Sequence, residues 1–373
     1  MERACGLDVH KDSVFSCIIN ENGEIISKKF GVLTPDLEEL RRHLVENHVD
    51  AAAMESTSIY WMPVWDALDG SGIELKLVNP YFIRQLPGRK SDVKDAEWIA
   101  TCVRKDLIRG SYVPCVAVRQ MRRYNRMASD LSRDIVRLET KLDAALQRMN
   151  IRISNYVSST DTKSYRSVVE KLSQGVTDPE ELLGGIHART VKRHGRDTVK
   201  AALTGMVTDV DTDMVRMYKE RLDLARKQKD ECELKLRQLC EEHFPRKFAN
   251  LQTMPGVKPK SAAALIAETG GDMKPFETPS ALVSWCGLRP RNDESAGKIM
   301  STRTTHGNRF VRTTMVECAW AAARKHGCFY SRFSYRLATE RKKQKMKVVV
   351  AVARKMLTAA WHILSEDTAY RDA

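Results

Sequence analysis

The chain has 373 residues, 42% hydrophobic and 29% charged, with a formal net charge of +14. That length supports two or three domains with real cores. The absence of a charged-then-apolar leader, or of an apolar run near about 18 residues, argues against secretion and a membrane span. Nine scattered cysteines show no CxxC or Cys/His spacing, which argues against zinc and a disulfide framework and for a reducing, cytoplasmic setting. The charge is uneven. Residues 1–100 carry 11 Lys and Arg against 17 Asp and Glu, a balance of −6, and the remainder carries 51 against 31, a balance of +20. A basic body behind an acidic head fits a polyanionic partner, although surface lysines that merely confer solubility give the same count.

In chain order, residues 3–9 read as a buried strand, followed by strands over Val14–Asn20 and Ile25–Phe30 joined by the turn signal ENGE. Leu37, Leu40 and Leu44 predict a helix from Pro35 to about Asn47, with Thr34 as its N-cap. A strand over Ala51–Met54 ends at Glu55, a helix covers Tyr60–Leu68, and a strand covers Ile73–Val78. A helix capped by Ser91 comes next. Three hairpin-like strands, then alternating helix and strand, make residues 1–115 a mixed α/β layer domain. Residues 116–246 change texture. Leu131, Ile135, Leu138, Leu142, Ala145 and Met149 alternate by four and three, and Val215, Leu222, Ala225 and Leu236 repeat the pattern across a break at Lys229. These predict two long coiled-coil helices, paired within the chain or with a second subunit, around a polar insertion of small helices at 151–200. His243-Phe244-Pro245 ends the second, and residues 247–373 form a third, mostly helical domain closed by an apolar helix over Lys345–Leu364.

Asp8 sits inside an apolar strand, Glu55 stands at a strand end, and Asp92 and Asp95 open a helix. In this topology the four carboxylates can converge, and such a cluster stays ionised only with a divalent cation among them. Oxygen ligands without His or Cys point to Mg²⁺ or Mn²⁺, which serve phosphodiester chemistry by activating the attacking oxygen and stabilising the leaving one. Taken singly, each acid reads equally as a turn residue or a complement to a helix N-terminus. Arg84, Arg89 and Lys90 precede the pair.

Residues 251–271, LQTMPGVKPKSAAALIAETGG, read as a helix-hairpin-helix in which Gly256 lets backbone amides approach phosphates, with Lys258 and Lys260 adding charge. An ordinary pair of antiparallel helices is the alternative. In the polar loop at 287–312, Ser295 has Arg289, Arg291, Lys298, Arg303, Arg309 and Arg312 close by in sequence. Cations there can neutralise charge developing on a phosphate that a serine attacks.

GLDVHKDS, MESTSIYW, KSDVKDA, the heptad helices, MPGVKPKSAAAL and CGLRPRNDESAGK occur in that order. Together they resemble transposases of the insertion-sequence group that joins an N-terminal DEDD RuvC-like domain to a C-terminal domain with a nucleophilic serine, a group that includes a pilin-gene invertase. The resemblance spans nearly the whole chain and is weakest at 151–200. It implies an RNase H-like first domain whose metal-binding acids are Asp8, Glu55, Asp92 and Asp95. It makes Ser295 the recombinase serine, within Glu294-Ser295-Ala296-Gly297, where Ala296 replaces a frequent glycine. It further implies recombination guided by a structured noncoding (bridge) RNA that pairs with donor and target DNA, in a homo-oligomer of two to four copies in a bacterial cytoplasm, near the nucleoid. The missing P-loop suits strand transfer without ATP. Three other readings remain at this point: a metal-dependent nuclease or junction resolvase with a structural Ser295, a site-specific invertase, and a noncatalytic nucleic-acid scaffold.

Overall fold

The computed structural model describes residues 2–56, 58–85, 95–291, 293–295, 297–301 and 303–372. It divides into two compact units, Met1–Val113 and Pro114–Ala373.

The first unit is a five-stranded sheet with helices on both faces. Its elements are β1 (Ala4–Val9), β2 (Val14–Ile19), β3 (Ile25–Phe30), α1 (Thr34–Glu46), β4 (Ala51–Glu55), α2 (Trp61–Leu68), β5 (Glu74–Val78), α3 (Pro80–Gln85) and α4 (Asp95–Arg104). The strand order is β3-β2-β1-β4-β5. β1 pairs antiparallel with β2 and parallel with β4, and β4 pairs parallel with β5. Alternation along the strands sorts the faces. Cys5, Leu7 and Val9, with Ala52 and Met54, pack against Leu37, Leu40 and Leu44 of α1 and Val64 and Leu68 of α2. Ala4, Ala51 and Ala53 face the other way, against Ile99, Cys102 and Val103 of α4. One boundary differs from expectation. The N-cap of α1 is Leu33, one residue before Thr34, because the Asp36 carboxylate accepts the Leu33 N–H at 3.0 Å and so closes the first turn. The expected cap Ser91 lies outside the described residues.

The second unit opens with α5 (Val116–Arg148). Four short helices come next, α6 (Lys163–Ser173), α7 (Pro179–Leu183), α8 (Ala188–His194) and α9 (Arg196–Leu203), and then α10 (Asp209–His243). α5 and α10 pair antiparallel within the chain. Leu142 and Ala145 of α5 share one core with Val215 and Leu222 of α10, and Met121 shares another with Leu236 and Cys240. The helices run unbroken through Lys229, whose ammonium lies 3.8 Å from Glu233 one turn on. α6, α7 and α9 cap the far end of this pair, contributing Tyr165, Val168, Leu182 and Val199 to its core.

The near end is part of the C-terminal core, so no boundary near residue 246 separates the long helices from the C-terminal ones. That core is built from α11 (Pro245–Gln252), α12 (Pro259–Thr269), α13 (Pro279–Trp285), α14 (Arg309–Arg324), α15 (Phe329–Tyr335) and α16 (Lys345–Glu366), and the two-stranded ribbon β6 (Asp293–Ser295) and β7 (Lys298–Ser301) lies between α13 and α14 outside it. Among the described residues, α16 is the helix long and apolar enough to cross a membrane. Its apolar face, including Val348, Val352, Met356, Leu357 and Ile363, is buried in this core.

Candidate active site

The sheet carries two of the expected acids to one place. Leu7 pairs with Met54 in the parallel register, and Asp8 and Glu55 are the next residue on each strand. Both belong to the face that α4 covers, since Asp8 continues the parity of Ala4 and Glu55 that of Ala51 and Ala53. Neighbouring strands stand about 4.8 Å apart, so two carboxylates leave the carboxyl ends of adjacent parallel strands side by side. In open α/β sheets that edge is where ligands bind. The Asp8 side chain is 25% exposed and its Oδ2 lies 3.0 Å from His10 Nε2, a partner two residues on that the sequence reading missed.

Asp95 is the first residue of α4 and is exposed. What holds this helix start to the sheet is Gly6. A Cβ at Gly6 would stand 2.0 Å from the Ala96 carbonyl oxygen and 2.5 Å from the Ala100 nitrogen, so α4 touches β1 backbone to backbone. Asp95 is thereby brought beside the strand that bears Asp8. Exchange of Gly6 for alanine is expected to force α4 outward and to destabilise the first unit by about 3 kcal/mol, the upper range for a methyl driven into a packed interior. Thermal unfolding of the variant checks this; an unchanged midpoint would contradict so close an approach.

Asp92, Arg89 and Lys90 lie outside the described residues, and Arg84 falls in α3. Among the described residues no group of three or more His, Cys, Asp or Glu is placed to hold a metal ion. The donor set itself is hard: two adjacent carboxylates and a third on α4, all oxygen, which is the chemistry Mg²⁺ and Mn²⁺ accept.

The second unit presents Ser295 differently from the plain polar loop that the sequence suggested. Ser295 ends β6, pairs with Lys298 across a two-residue turn, and is exposed. Gly297 supplies the positive φ of 75° that such a turn requires. Backbone pairing continues below the turn. The Arg291 N–H donates to the Arg303 carbonyl at 2.9 Å, and the Thr305 N–H donates to the Arg289 carbonyl at 2.9 Å. Arg289, Arg291 and Arg303 thus share one short ribbon under the serine, all exposed. Lys298 is also exposed; Arg309 stacks over the Phe310 ring at 4.8 Å, and Arg312 is half-buried on α14.

The ribbon is rooted in a buried charge that the sequence reading did not single out. Glu268, near the end of α12, has a side chain 0% exposed. Its carboxylate accepts from Asn125 Nδ2 at 3.0 Å, Arg126 Nη2 at 3.1 Å and Asn308 Nδ2 at 2.8 Å. Arg122 Nη2 donates to the Glu268 carbonyl at 2.8 Å. Asn308 in turn caps α14, accepting from the Phe310 and Val311 N–H groups through Oδ1. One carboxylate therefore fastens α5, α12 and the residue where the ribbon returns to helix.

At the 251–271 hairpin, α11 and α12 flank the turn as expected, but Gly256 has another reason to be glycine. Its φ is 85°, and a Cβ there would lie 2.4 Å from the Cys318 carbonyl oxygen on α14. The close approach is to this helix. Lys258 is exposed as the N-cap of α12, while Lys260 lies 2.7 Å from Glu233.

Comparison with known proteins agrees with the order of these parts. Residues 5–151 match the transposase family DEDD_Tnp_IS110, and residues 249–334 match the "Transposase IS116/IS110/IS902 family". The chain belongs to the IS110-type transposases. The two matches together cover more than half of the chain, the first containing Asp8, Glu55, Asp92 and Asp95 and the second containing Ser295. A relative from Sinorhizobium fredii (strain NBRC 101917 / NGR234), described as "Putative transposase y4pF/y4sB", is 22% identical over 310 residues, 82% of this chain and 70% of the relative. An IS110-type transposase is a DNA strand-transfer enzyme, and DNA is its substrate.

Proposed function

We propose that this transposase cuts and rejoins DNA through a covalent phosphoserine at Ser295, supported by divalent-metal chemistry at Asp8, Glu55, Asp92 and Asp95. The observation that carries the reading is the exposed Ser295 at the tip of an arginine-bearing ribbon, inside a chain whose family is a transposase family. The strand order of the first unit supports an RNase H-like, RuvC-like domain, in which adjacent strand ends carry Asp8 and Glu55.

The Ser295 hydroxyl attacks the scissile phosphorus as its proton is removed. The Oγ–P bond forms, the bond to the leaving nucleotide oxygen breaks, and that oxygen leaves as a hydroxyl. The bond energy is retained, so the reverse step with a new strand end reseals DNA without ATP. Arg289, Arg291 and Arg303 sit where they neutralise charge growing on the phosphoryl oxygens. Asp8, Glu55, Asp92 and Asp95 would hold Mg²⁺ or Mn²⁺, which supplies Lewis-acid stabilisation of the oxygens of the reacting phosphodiester. His10 holds the Asp8 carboxylate in orientation. The basic second unit, with the turn after α11, provides phosphate contacts for DNA and for a structured guide RNA, in a homo-oligomer of two to four copies. The guide RNA and the oligomer are implied by the resemblance, and the phosphate contacts rest on the charge of these residues.

Stalled reactions on a DNA substrate, digested and analysed by mass spectrometry, are expected to yield a peptide spanning residue 295 that carries a nucleotide on the serine. Efficient cleavage with no protein-linked DNA would instead favour the water-mediated nuclease reading.

A further inference from the structure

A concave surface away from the serine ribbon straddles the end of the second matched family span. The segment 324–347 contains nine Lys and Arg against a single acid, Glu340, and the matched family region stops at residue 334. Within this segment α15 runs into a π-helical turn, Arg336–Glu340, before α16 begins. A π turn widens the helix and re-aims the side chains around it, and such turns recur at functional sites. Here the turn borders a cleft of about 860 Å³ walled by Phe333, Tyr335 and Arg336, with Arg332 and His326 at its sides. Tyr335 is 65% exposed, so its ring is open to solvent at the cleft wall. Arg336 covers the Phe333 ring at 5.6 Å, and Phe333 stacks on Phe329 at 5.7 Å. The exposed cations Arg341, Lys342, Lys343, Lys345 and Lys347 come directly after it.

We infer that this cleft binds an unpaired stretch of polynucleotide, with a base stacked on Tyr335 and the flanking phosphates on Arg336, Lys342 and Lys343. The combination decides the class. Cations alone attract any polyanion, but a cleft with an exposed ring at its wall offers a flat π surface that a duplex keeps covered and a single strand presents. The volume is ample for a small organic group such as a nucleobase. The elements that form it differ from those that carry Ser295. The inference rests on the strand-transfer reading only in taking nucleic acid as the ligand.

The test uses the full chain and measures fluorescence anisotropy with short unstructured RNA and DNA single strands and with a DNA duplex. Tyr335→Ala is expected to weaken single-strand binding roughly five- to a hundredfold, the effect of removing one base–aromatic stack. It should leave duplex binding unchanged, and Tyr335→Phe should bind like the parent. A paired Lys342→Ala and Lys343→Ala change should weaken binding and lower its salt dependence by about two phosphate contacts. A preference for one sugar identifies the source of the strand. The inference is overturned if Tyr335→Ala binds single strands as tightly as the parent, or if it loses duplex equally. The two readings fail separately. Tyr335-dependent binding without any Ser295 adduct sinks the phosphoserine mechanism and leaves the cleft, whereas an adduct with indifferent Tyr335 variants does the reverse.

Discussion

Ser295→Ala is expected to lower strand transfer by a factor on the order of 10⁴ or more, the scale on which enzymes lose rate when a nucleophile is removed. The fold should be indifferent. Ser295 is exposed at a ribbon tip, and its pairing with Lys298 runs through backbone atoms, so the stability change should stay within about 0.5 kcal/mol. DNA binding should persist, because the neighbouring cations remain. Protein-linked DNA should vanish altogether. A nuclease in which water attacks predicts continued cutting by the same variant, and that result would remove Ser295 from the chemistry. Asp8→Asn provides the complement. It keeps the shape of the side chain beside His10 but removes the charge that a divalent cation requires. Divalent-dependent turnover should therefore collapse in a protein that still melts near the parent temperature. A noncatalytic scaffold predicts full function from both variants.

The second large effect is on stability. Glu268→Ala leaves the donors of Asn125, Arg126 and Asn308 without their shared acceptor, and breaking a buried charge network in this way costs about 3–5 kcal/mol. Arg126 is 46% exposed and can turn to water, which places the expectation near the lower figure, about 3 kcal/mol. Glu268→Gln should cost less, since one oxygen acceptor survives, yet its amide N–H groups face donors. Denaturant unfolding of the full chain separates the three proteins. A Glu268→Ala midpoint equal to that of the parent would show that the network does not hold the root of the ribbon.

How legible each part was depends on how much of its cause is local. The sheet could be read because Cys5, Leu7 and Val9 alternate with Ala4, Gly6 and Asp8, and each set finds its own helical layer. The long helices could be read from four-and-three spacing, although only the structure decides that they pair within one chain. The ribbon could not. β6 and β7 are three and four residues long, too short for a period to emerge. Glu268 was silent for another reason, since a lone acid in an apolar helix gives no hint of partners at 125, 126 and 308. The packing of Gly256 was hidden because its close neighbour, α14, lies more than fifty positions further along the chain. At the acidic edge, strand register alone places Asp8 beside Glu55, which a sequence can anticipate once the strand order is guessed.

The antiparallel helix pair also sets a scale. From Arg126, at the root of the ribbon, to Arg148, where the capping helices begin, α5 advances 22 residues, about 33 Å at 1.5 Å per residue. That is close to one full turn of double-stranded DNA, about 34 Å. No side chain spans such a gap, so the distal module and the serine of one molecule cannot grip the same phosphate. A ligand long enough to follow the arm, or another copy of the protein, touches both, which makes the arm a ruler.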